Sequence, residues 1–262
     1  MARFRLATFN AISIRMRLEI ILNWLREHEP DALCIQETRV VDSDFPVDAF
    51  AEIGYKCAFV GQKSFNGVAI VSREEPEDVT VGLGSEGFDE EARLIRARIC
   101  GVNVVNGYFP QGTSIDSPRF AHKLNWIASL ADYLARDFAH SDPIALVGDF
   151  NVAPEPIDVY DPEAMAGCVC FHPDEHKALE RIRKWGFADV FRKHHAGEPR
   201  LYSFFDYRVP YALRRKIGWR LDHIWATEPL ASRSVDCWID TEPRLMEKPS
   251  DHTFVVADFD LK

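Results

Sequence analysis

The feature that most constrains the fold is an apolar run, Pro143-Ile144-Ala145-Leu146-Val147, which leads into the polar stretch Gly148-Asp149-Phe150-Asn151. A run of this length, bounded by proline and a polar cluster, indicates a fully buried strand. Because strand side chains alternate, we expect Asp149 and Asn151 on one face at the strand end. Paired oxygen-bearing groups there suit a hard cation or a reacting phosphate. The same residue types also form turns, so this stretch alone leaves a turn open.

The rest of the chain is patterned mostly as strands. Apolar alternation or continuous apolar runs predict strands over 3–10, 32–36, 56–60, 67–72, 79–82, 94–99, 102–108, 220–226, 234–239 and 253–259. Helical spacing of apolar residues predicts helices over 14–28, 117–134 and 174–185. Ser117 followed by Pro118 is a good helix start, because serine caps and proline fits the first turn. Turn-prone connections between many strands favour antiparallel pairing.

Polar side chains recur at the ends of these predicted strands. They are Asn10, Glu37, Tyr108, Asp149, Asn151, Asp222, Asp251 and His252. If the strands form two packed sheets with like ends together, these groups converge on one edge, where a rigid scaffold could hold an active site.

Composition limits the class of protein. The chain has 262 residues, 47% hydrophobic and 27% charged, without a flexible linker, which predicts one soluble globular domain over 1–262. No apolar stretch approaches the ~18 residues of a membrane span, and the N-terminus enters a strand pattern at once, so we predict a cytoplasmic monomer without a membrane partner. The 6 scattered cysteines suit reduced thiols. Cys168, Cys170 and His172 lack the second ligand pair of a zinc site.

The net charge of −10 excludes nucleic-acid binding by bulk attraction, so any such site must be local. Arg214, Arg215 and Lys216 form a basic cluster with Arg220 close behind, and a smaller cluster lies at 15–17. A solvated basic face is the alternative interpretation of either cluster.

The ordered motifs resemble the exonuclease III type of abasic-site endonucleases, within the endonuclease/exonuclease/phosphatase superfamily. They are Thr8-Phe9-Asn10, Ile35-Gln36-Glu37-Thr38, Phe65-Asn66-Gly67-Val68-Ala69, Gly107-Tyr108-Phe109-Pro110-Gln111-Gly112, Gly148-Asp149-Phe150-Asn151, Gly218-Trp219-Arg220-Leu221-Asp222 and Ser250-Asp251-His252. The resemblance implies an α/β (α+β) fold, a four-layer sandwich of two mostly antiparallel sheets packed face to face with helices outside. It also implies a Mg²⁺-dependent DNA repair nuclease that hydrolyses the phosphodiester 5′ to abasic sites, with 3′-phosphodiesterase or 3′→5′ exonuclease activity as a further expectation.

The resemblance assigns roles around one phosphate. It makes Glu37 the main metal ligand, with Asn10 and Asp251 nearby, and oxygen ligands favour Mg²⁺ or Mn²⁺. Asp149, positioned by Asn151, is implied to orient or deprotonate the attacking water. The resemblance further implies that His252, oriented by Asp222, contacts the scissile phosphate and that Tyr108 donates to it.

The resemblance also implies a DNA surface for double-stranded DNA with abasic sites or 3′ ends. Phe204, Trp219 and Leu221 match an apolar pocket for a sugar without its base. Arg208 and the 214–216 cluster would lie over the DNA. For Phe204 and Phe205, a role in the core is the alternative.

Two departures from the family pattern leave other functions open. Ile12 stands where a polar residue usually follows Asn10, which puts a two-metal scheme in doubt, and Phe204 and Phe205 replace a usual tryptophan pair. The alternatives are a superfamily phosphatase or phosphodiesterase acting on a lipid headgroup or small nucleotide, and a damaged-DNA-binding protein whose site has degraded at Ile12.

Overall fold

Two six-stranded sheets form the centre of the computed structural model, which describes residues 3–261. The strands are β1 Arg3–Asn10, β2 Ala32–Gln36, β3 Lys56–Val60, β4 Val68–Ser72, β5 Glu77–Val81, β6 Leu94–Ile99, β7 Val102–Tyr108, β8 Ile144–Asp149, β9 Phe187–Asp189, β10 Asp222–Thr227, β11 Ser234–Asp240 and β12 Phe254–Asp260. One sheet has the order β11-β12-β1-β2-β4-β3 and the other β5-β6-β7-β8-β10-β9.

Both sheets are mostly antiparallel, as predicted. The parallel pairs are β1 with β2 in one sheet and β7 with β8 in the other. Each parallel pair needs a long crossover connection, and a long helix supplies it in both cases. The helices are α1 Ile14–His28, α2 Val47–Ala51, α3 Pro118–Asp137, α4 Pro162–Met165, α5 Pro173–Trp185, α6 Val190–His194, α7 Ala212–Arg215 and α8 Glu228–Ala231.

The hydrophobic core has three layers of contact. Between the sheets, residues such as Leu6, Val104 and Val147 pack together and are fully buried. On the outer face of one sheet, α1 packs its apolar stripe. On the outer face of the other sheet, α3 and α5 do the same. This arrangement confirms the predicted four-layer sandwich.

Side-chain caps begin two of the predicted helices, α3 and α5. The Ser117 side chain accepts a hydrogen bond from the Phe120 N–H, and Pro118 occupies the first turn of α3. His172 caps α5 in the same way, and Glu175 closes the capping box. Within residues 3–261, Cys168, Cys170 and His172 do not gather into a group of possible metal ligands. No helix in this described range is long and apolar enough to cross a bilayer.

Candidate active site

The predicted site residues meet at one end of the two sheets. Strands β1, β2, β7 and β8 all run toward this edge, whereas β10 and β12 start from it. The pairing register places Asp149 beside both Tyr108 and Asp222 on neighbouring strands. Strand direction therefore brings together residues that are far apart in the sequence.

A pocket of about 380 Å³ opens at this edge. Its wall includes the predicted polar residues Glu37, Tyr108, Asp149, Asn151, Asp251 and His252. The predicted Phe204, Arg208, Trp219 and Leu221 line it too, as do Ile12 and Arg39. Asn10 and Asp222 are fully buried behind this wall and hydrogen-bonded to it.

The Asn10 side chain joins the two sheets. Its amide nitrogen donates to Glu37 Oε1 at 2.9 Å and to Asp149 Oδ2 at 2.9 Å. Its oxygen accepts from the Ile12 N–H at 3.1 Å. Asn10 thus fixes the distance between Glu37 and Asp149, while its role as a metal ligand stays a prediction.

Asp149 and Asn151 lie side by side, but not for the predicted reason. Strand β8 ends at Asp149, and Asn151 has a left-handed backbone with φ of 50°. The Asn151 backbone N–H donates to Asp149 Oδ1 at 2.8 Å. The Asn151 side-chain Nδ2 donates to Asp149 Oδ2 at 3.1 Å and to the Phe109 carbonyl at 3.0 Å. A turn therefore makes the pair, and strand alternation was the wrong explanation. Asparagine suits the turn because its side chain tolerates this conformation.

His252 lies between two buried carboxylates. Its Nδ1 is 2.8 Å from Asp222 Oδ2, and its Nε2 is 3.8 Å from Asp149 Oδ2. Burial lowers the pKa of His252, but Asp222 and Asp149 raise it more, to about 10. Burial, helped by Asp222, raises the pKa of Asp149, although the His252 charge opposes this shift. His252 is consequently an imidazolium whose Nδ1–H donates to Asp222.

Asp149, Asp222 and His252 could be taken for a metal site, because their possible ligand atoms lie within 4.8 Å of one another. A metal on His252 would need a neutral imidazole, whereas the two carboxylates favour the protonated ring. The hydrogen bond to His252 occupies one oxygen of Asp222, while Asp222 Oδ1 is buried without a hydrogen-bond partner among the described residues.

Glu37 and Asp251 offer a better cation site. Asp251 Oδ1 is buried and has no hydrogen-bond partner among the described residues. Burial raises the pKa of Asp251, and the nearby Glu37 charge raises it further, against the effect of His252. Two carboxylates that line one pocket, one of them with an unpartnered oxygen, are donors that fit a hard divalent cation. Ile12, which also lines the pocket, adds no ligand atom.

Arg39 is a pocket residue that the sequence reasoning missed. Its guanidinium donates to Glu37 Oε2, through Nε at 2.9 Å and also through Nη2. Burial raises the pKa of Glu37, but Arg39 and Asn10 outweigh burial, so the pKa lies below its ordinary value. A basic residue two positions after a predicted ligand was the available signal.

Tyr108 keeps its proton. Burial and the Glu37 and Asp149 charges raise the pKa of its phenol well above the ordinary value. The Arg93 guanidinium lies 4.8 Å from the centre of the ring and opposes that shift. Tyr108 is therefore available as a hydrogen-bond donor at the pocket wall.

The backbone at 204–205 is hydrogen-bonded to the chain on both sides and so positions the apolar wall of the pocket. Phe204 exchanges hydrogen bonds with Trp219, its N–H donating at 2.8 Å and its carbonyl accepting at 3.0 Å. On the other side, the Phe205 N–H donates to the Asp251 carbonyl at 2.7 Å. The Phe204 ring lies 4.9 Å from the His252 ring. Phe205, in contrast, is only 3% exposed and packs with Tyr202, so the core alternative holds for Phe205 alone.

The basic residues divide into surface and interior groups. Arg214, Arg215 and Lys216 are exposed on and just after α7, outside the pocket wall. Arg208 is also exposed and pairs with Asp206. Grouping Arg220 with the surface cluster was wrong, because a carboxylate network holds it in the interior.

Arg220 is fully buried between two carboxylates. Its guanidinium donates to Asp158 Oδ1 at 2.7 Å and to Asp189 Oδ2 at 2.7 Å. It also donates to His223 Nδ1 at 2.9 Å, while His223 Nε2–H donates to the Val152 carbonyl at 3.0 Å. Burial, followed by the Arg220 charge, lowers the pKa of His223 to about 3, so this ring is neutral. The network fixes the chain just before Asp222.

Comparison with known proteins agrees with this geometry. The model of the endonuclease/exonuclease/phosphatase family matches residues 8–252. Exodeoxyribonuclease III of Haemophilus influenzae is 33% identical over 263 residues, covering 96% of this chain and 98% of that protein.

Two solved structures share the whole fold. The AP endonuclease from Archaeoglobus fulgidus has a TM-score of 0.95 and 51% identity, covering 98% of this chain and 99% of that one. The 3′ phosphatase NExo from Neisseria, bound to product DNA hairpin, has a TM-score of 0.93 and 36% identity with the same coverage of 98% and 99%. The chain belongs to the endonuclease/exonuclease/phosphatase family, and within it to the exonuclease III type.

Proposed function

We propose that this protein is a metal-dependent DNA repair nuclease that hydrolyses the phosphodiester 5′ to an abasic site. The observation that carries the proposal is a pocket in which two sets of polar residues face an apolar wall. Asn10 is hydrogen-bonded to Glu37 and Asp149, His252 is hydrogen-bonded to Asp222, and His252 Nε2 lies 3.8 Å from Asp149 Oδ2. The polar side can act on a phosphate, and the apolar side can receive a sugar. Both sides are needed for a phosphodiester next to a missing base.

Each polar residue has a role that its surroundings support. Asp149, held by Asn151 and with a raised pKa, would orient the attacking water and take its proton. The His252 imidazolium and the Tyr108 phenol would donate to the phosphate oxygens, whose negative charge grows in the transition state. Asp222 keeps His252 protonated and correctly turned. These groups are fixed by the fold before substrate arrives, so little reorganisation is needed.

Glu37 and Asp251 are the residues that would hold the cation. Their oxygen donors favour Mg²⁺ or Mn²⁺, which accept carboxylates, waters and substrate phosphate. When bound, such an ion supplies charge stabilisation to the departing oxygen. With Ile12 in the wall, a single ion is the arrangement that the donor set supports.

The substrate proposal rests on the apolar wall. Phe204, Trp219 and Leu221 line the pocket next to His252. A sugar without its base could enter directly, whereas an intact nucleotide would first lose its stacking, at a cost of a few kcal/mol. The exposed Arg208 and the 214–216 cluster are available for phosphates of double-stranded DNA beyond the pocket.

Processing of 3′ ends is a second candidate activity. A relative that is 36% identical over nearly the whole chain is described as a 3′ phosphatase. A frayed 3′ terminus also brings a sugar and phosphate to a pocket without flipping an internal nucleotide. We include 3′-phosphodiesterase and 3′→5′ exonuclease activity in the proposal on these grounds.

The test uses end-labelled duplexes that differ at one position. One carries a stable abasic analogue, one a normal nucleotide, and one a 3′-phosphate. We expect a single nick 5′ to the analogue in Mg²⁺, no product in EDTA, and an uncut matched duplex. Tight binding without cleavage in Mg²⁺ would contradict the proposal and favour the binding-only alternative. Release of phosphate from the third duplex would support 3′ processing.

The metal assignment has its own test. Changing Glu37 to Gln removes a carboxylate charge but keeps the side-chain shape, so the Mg²⁺ concentration for half-maximal cleavage should rise at least tenfold. The control is Glu27→Gln, which alters an exposed residue of α1. Equal Mg²⁺ titrations for the two variants would remove Glu37 from the ligand set.

A monomeric state and a cytoplasmic location stay predictions from the sequence.

A further inference from the structure

A buried lysine lies directly behind the pocket, and the mechanism above does not use it. Lys123 belongs to the inward face of α3, between Phe120 and Ile127, and its side chain is 0% exposed. Taking an ammonium group out of water costs several kcal/mol even after relaxation, so its partners must compensate. Two of those partners, Gln111 and Asn151, line the pocket.

All the donor positions of the lysine are directed at fixed acceptors. Lys123 Nζ lies 2.5 Å from Glu175 Oε1, whose side chain is also 0% exposed. It donates to the Asn151 carbonyl at 2.7 Å and to the Gln111 carbonyl at 3.2 Å. An ammonium group has three N–H bonds, so these three acceptors satisfy it.

Glu175 extends the connection to a third loop. Its Oε1 accepts from the Cys170 N–H at 3.1 Å, and its Oε2 accepts from the His172 N–H at 2.9 Å. Gln111, Asn151 and Cys170 all line the pocket. One buried ion pair therefore ties together the three loops that wall the pocket on this side.

Resting on the proposed function, we propose that Lys123 is a positioning residue for the reaction: its bond to the Asn151 carbonyl holds the backbone of Asn151 in its left-handed turn, and through the Asn151 N–H it holds the Asp149 carboxylate in the productive orientation. Asn151 adopts a left-handed backbone, which a free loop would leave readily. The Asn151 N–H, in the 150–151 peptide, donates to Asp149, and the Asn151 carbonyl, in the 151–152 peptide, accepts from Lys123, so a change in the backbone of Asn151 breaks at least one of these contacts.

The energetics of buried ion pairs fit positioning better than stability. Replacing both partners of such a pair by neutral groups of similar size is often neutral or stabilising. The pair is thus not needed to hold α3 against α5, which also share apolar contacts including Ile127, Leu130 and Leu179. A precise loop geometry is what the pair adds.

The test compares a double variant with two controls. Lys123→Met combined with Glu175→Gln removes both charges and leaves no unpaired buried ion. We expect kcat on the abasic duplex to fall about 10- to 100-fold, with KM and the Mg²⁺ titration unchanged, because displacement by about 1 Å costs this much. Glu175→Gln alone should lose less kcat, since Lys123 keeps its two carbonyl bonds, but it should lower Tm more than the double variant does, because it leaves the Lys123 charge buried without its carboxylate.

The second control separates positioning from stability. Asp258→Asn breaks a different ion pair, with Arg5, in which the Asp258 side chain is 0% exposed and away from the pocket wall. We expect it to lower Tm without lowering kcat at 25 °C. If the double variant behaves the same way, the positioning role is refuted.

An activity-independent measurement keeps this test distinct from that of the proposed function. Amide hydrogen exchange over 149–153 should be faster in the double variant than in the parent protein, while exchange in β1 and β2 stays unchanged. An inert parent protein would refute the nuclease proposal, and this exchange difference would still support the positioning role of Lys123. Identical exchange over 149–153 would overturn that role even in an active enzyme.

Discussion

At the scale of single residues, the His252 imidazole derives its charge from its neighbours. Asp222 bonds one ring nitrogen, and Asp149 lies 3.8 Å from the other. The raised pKa of His252, about 10, keeps the ring cationic at neutral pH. The raised pKa of Asp149 brings its deprotonation closer to neutrality than that of an ordinary aspartate. Activity should therefore rise as Asp149 loses its proton and fall as His252 loses its own.

Changing Asp222 to Asn tests this arrangement. Asp222 raises the pKa of His252, so its loss should move the alkaline limb of kcat/KM to lower pH, by at least one unit. Asp222 also raises the pKa of Asp149, so the acid limb should move to lower pH as well. The measurement is a kcat/KM profile from pH 5 to 10.5 for both proteins. An alkaline limb that stays in place would show that another group governs it.

Ile12 is a strained residue beside the candidate cation site. Its φ of 43° lies in the left-handed region, where a β-branched side chain is an outlier. Such a conformation costs roughly 1–2 kcal/mol for an L-residue. The chain carries this strain at the position where the family resemblance led us to expect a polar group.

Two substitutions at position 12 separate strain from metal binding. Ile12→Asn and Ile12→Gly should each raise the free energy of unfolding by about 1 kcal/mol, because both residues tolerate this backbone better. Only Ile12→Asn adds an oxygen, so only it should tighten Mg²⁺ binding, by about tenfold or 1.4 kcal/mol. Urea unfolding and calorimetric Mg²⁺ titration give the two readouts. Equal Mg²⁺ affinity in both variants would exclude position 12 from the ion's surroundings.

At the scale of elements, the start of β10 depends on a buried network. The chain enters β10 through Arg220, which is clamped by Asp158 and Asp189. Burial raises the pKa of Asp158, but Arg220 and Arg192 lower it more, to about 2. Because the folded pKa is depressed, Asp158 contributes stability above its unfolded value of ~4, and this is lost as pH falls toward 2.

Breaking the network should be costly. Asp158→Asn leaves Arg220 with less compensation in a dry interior, so the free energy of unfolding at pH 7 should fall by about 3 kcal/mol. Asp132→Asn is the control, because it removes the exposed Asp132–Arg181 pair and should cost no more than about 0.5 kcal/mol. Urea titrations of both variants make the comparison. Equal losses would mean that the interior network adds no special stability.

The sequence predicted the elements well because local rules determine them. Apolar alternation and continuous apolar runs predicted every strand except the short β9, and the Ser117 cap placed the start of α3 to the residue. Strand direction then sufficed to predict that polar groups from 10 to 252 would share one edge. The resemblance to the exonuclease III type supplied the roles that we propose for these polar groups.

The remaining features depend on contacts that local patterns do not encode. Arg220 looked like part of a surface cluster, because nothing nearby in the sequence reveals Asp158 or Asp189 as its partners. The left-handed turn at Asn151 was interpreted as strand alternation. Lys123, like Arg39, has a signal in the sequence, since a charge within the apolar stripe of α3 requires a buried partner.

At the scale of the whole molecule, net charge and DNA binding oppose each other. A net charge of −10 gives no overall attraction to phosphate, so attraction must come from local residues such as Arg208 and those on α7. Affinity should then fall with salt according to the few phosphates that these residues neutralise.

The salt dependence gives a quantitative test. Replacing Arg214 and Arg215 by Ala should weaken binding of any duplex and reduce the slope of log K against log salt by about 1 for each lost phosphate contact. Asp132→Asn again serves as a surface control. An unchanged slope would place the DNA away from α7, and the basic cluster would be a solvated face.

The segment around Phe204 links recognition to chemistry. Its backbone is bonded to Trp219 on one side and, through Phe205, to Asp251 on the other, and its ring touches the His252 ring. A substitution that reshapes the sugar slot here will therefore also disturb the imidazolium and the candidate cation ligand. Substitutions at Phe204 that accommodate a different lesion should therefore lower turnover, so broadened specificity should evolve first at the exposed arginines outside the pocket wall.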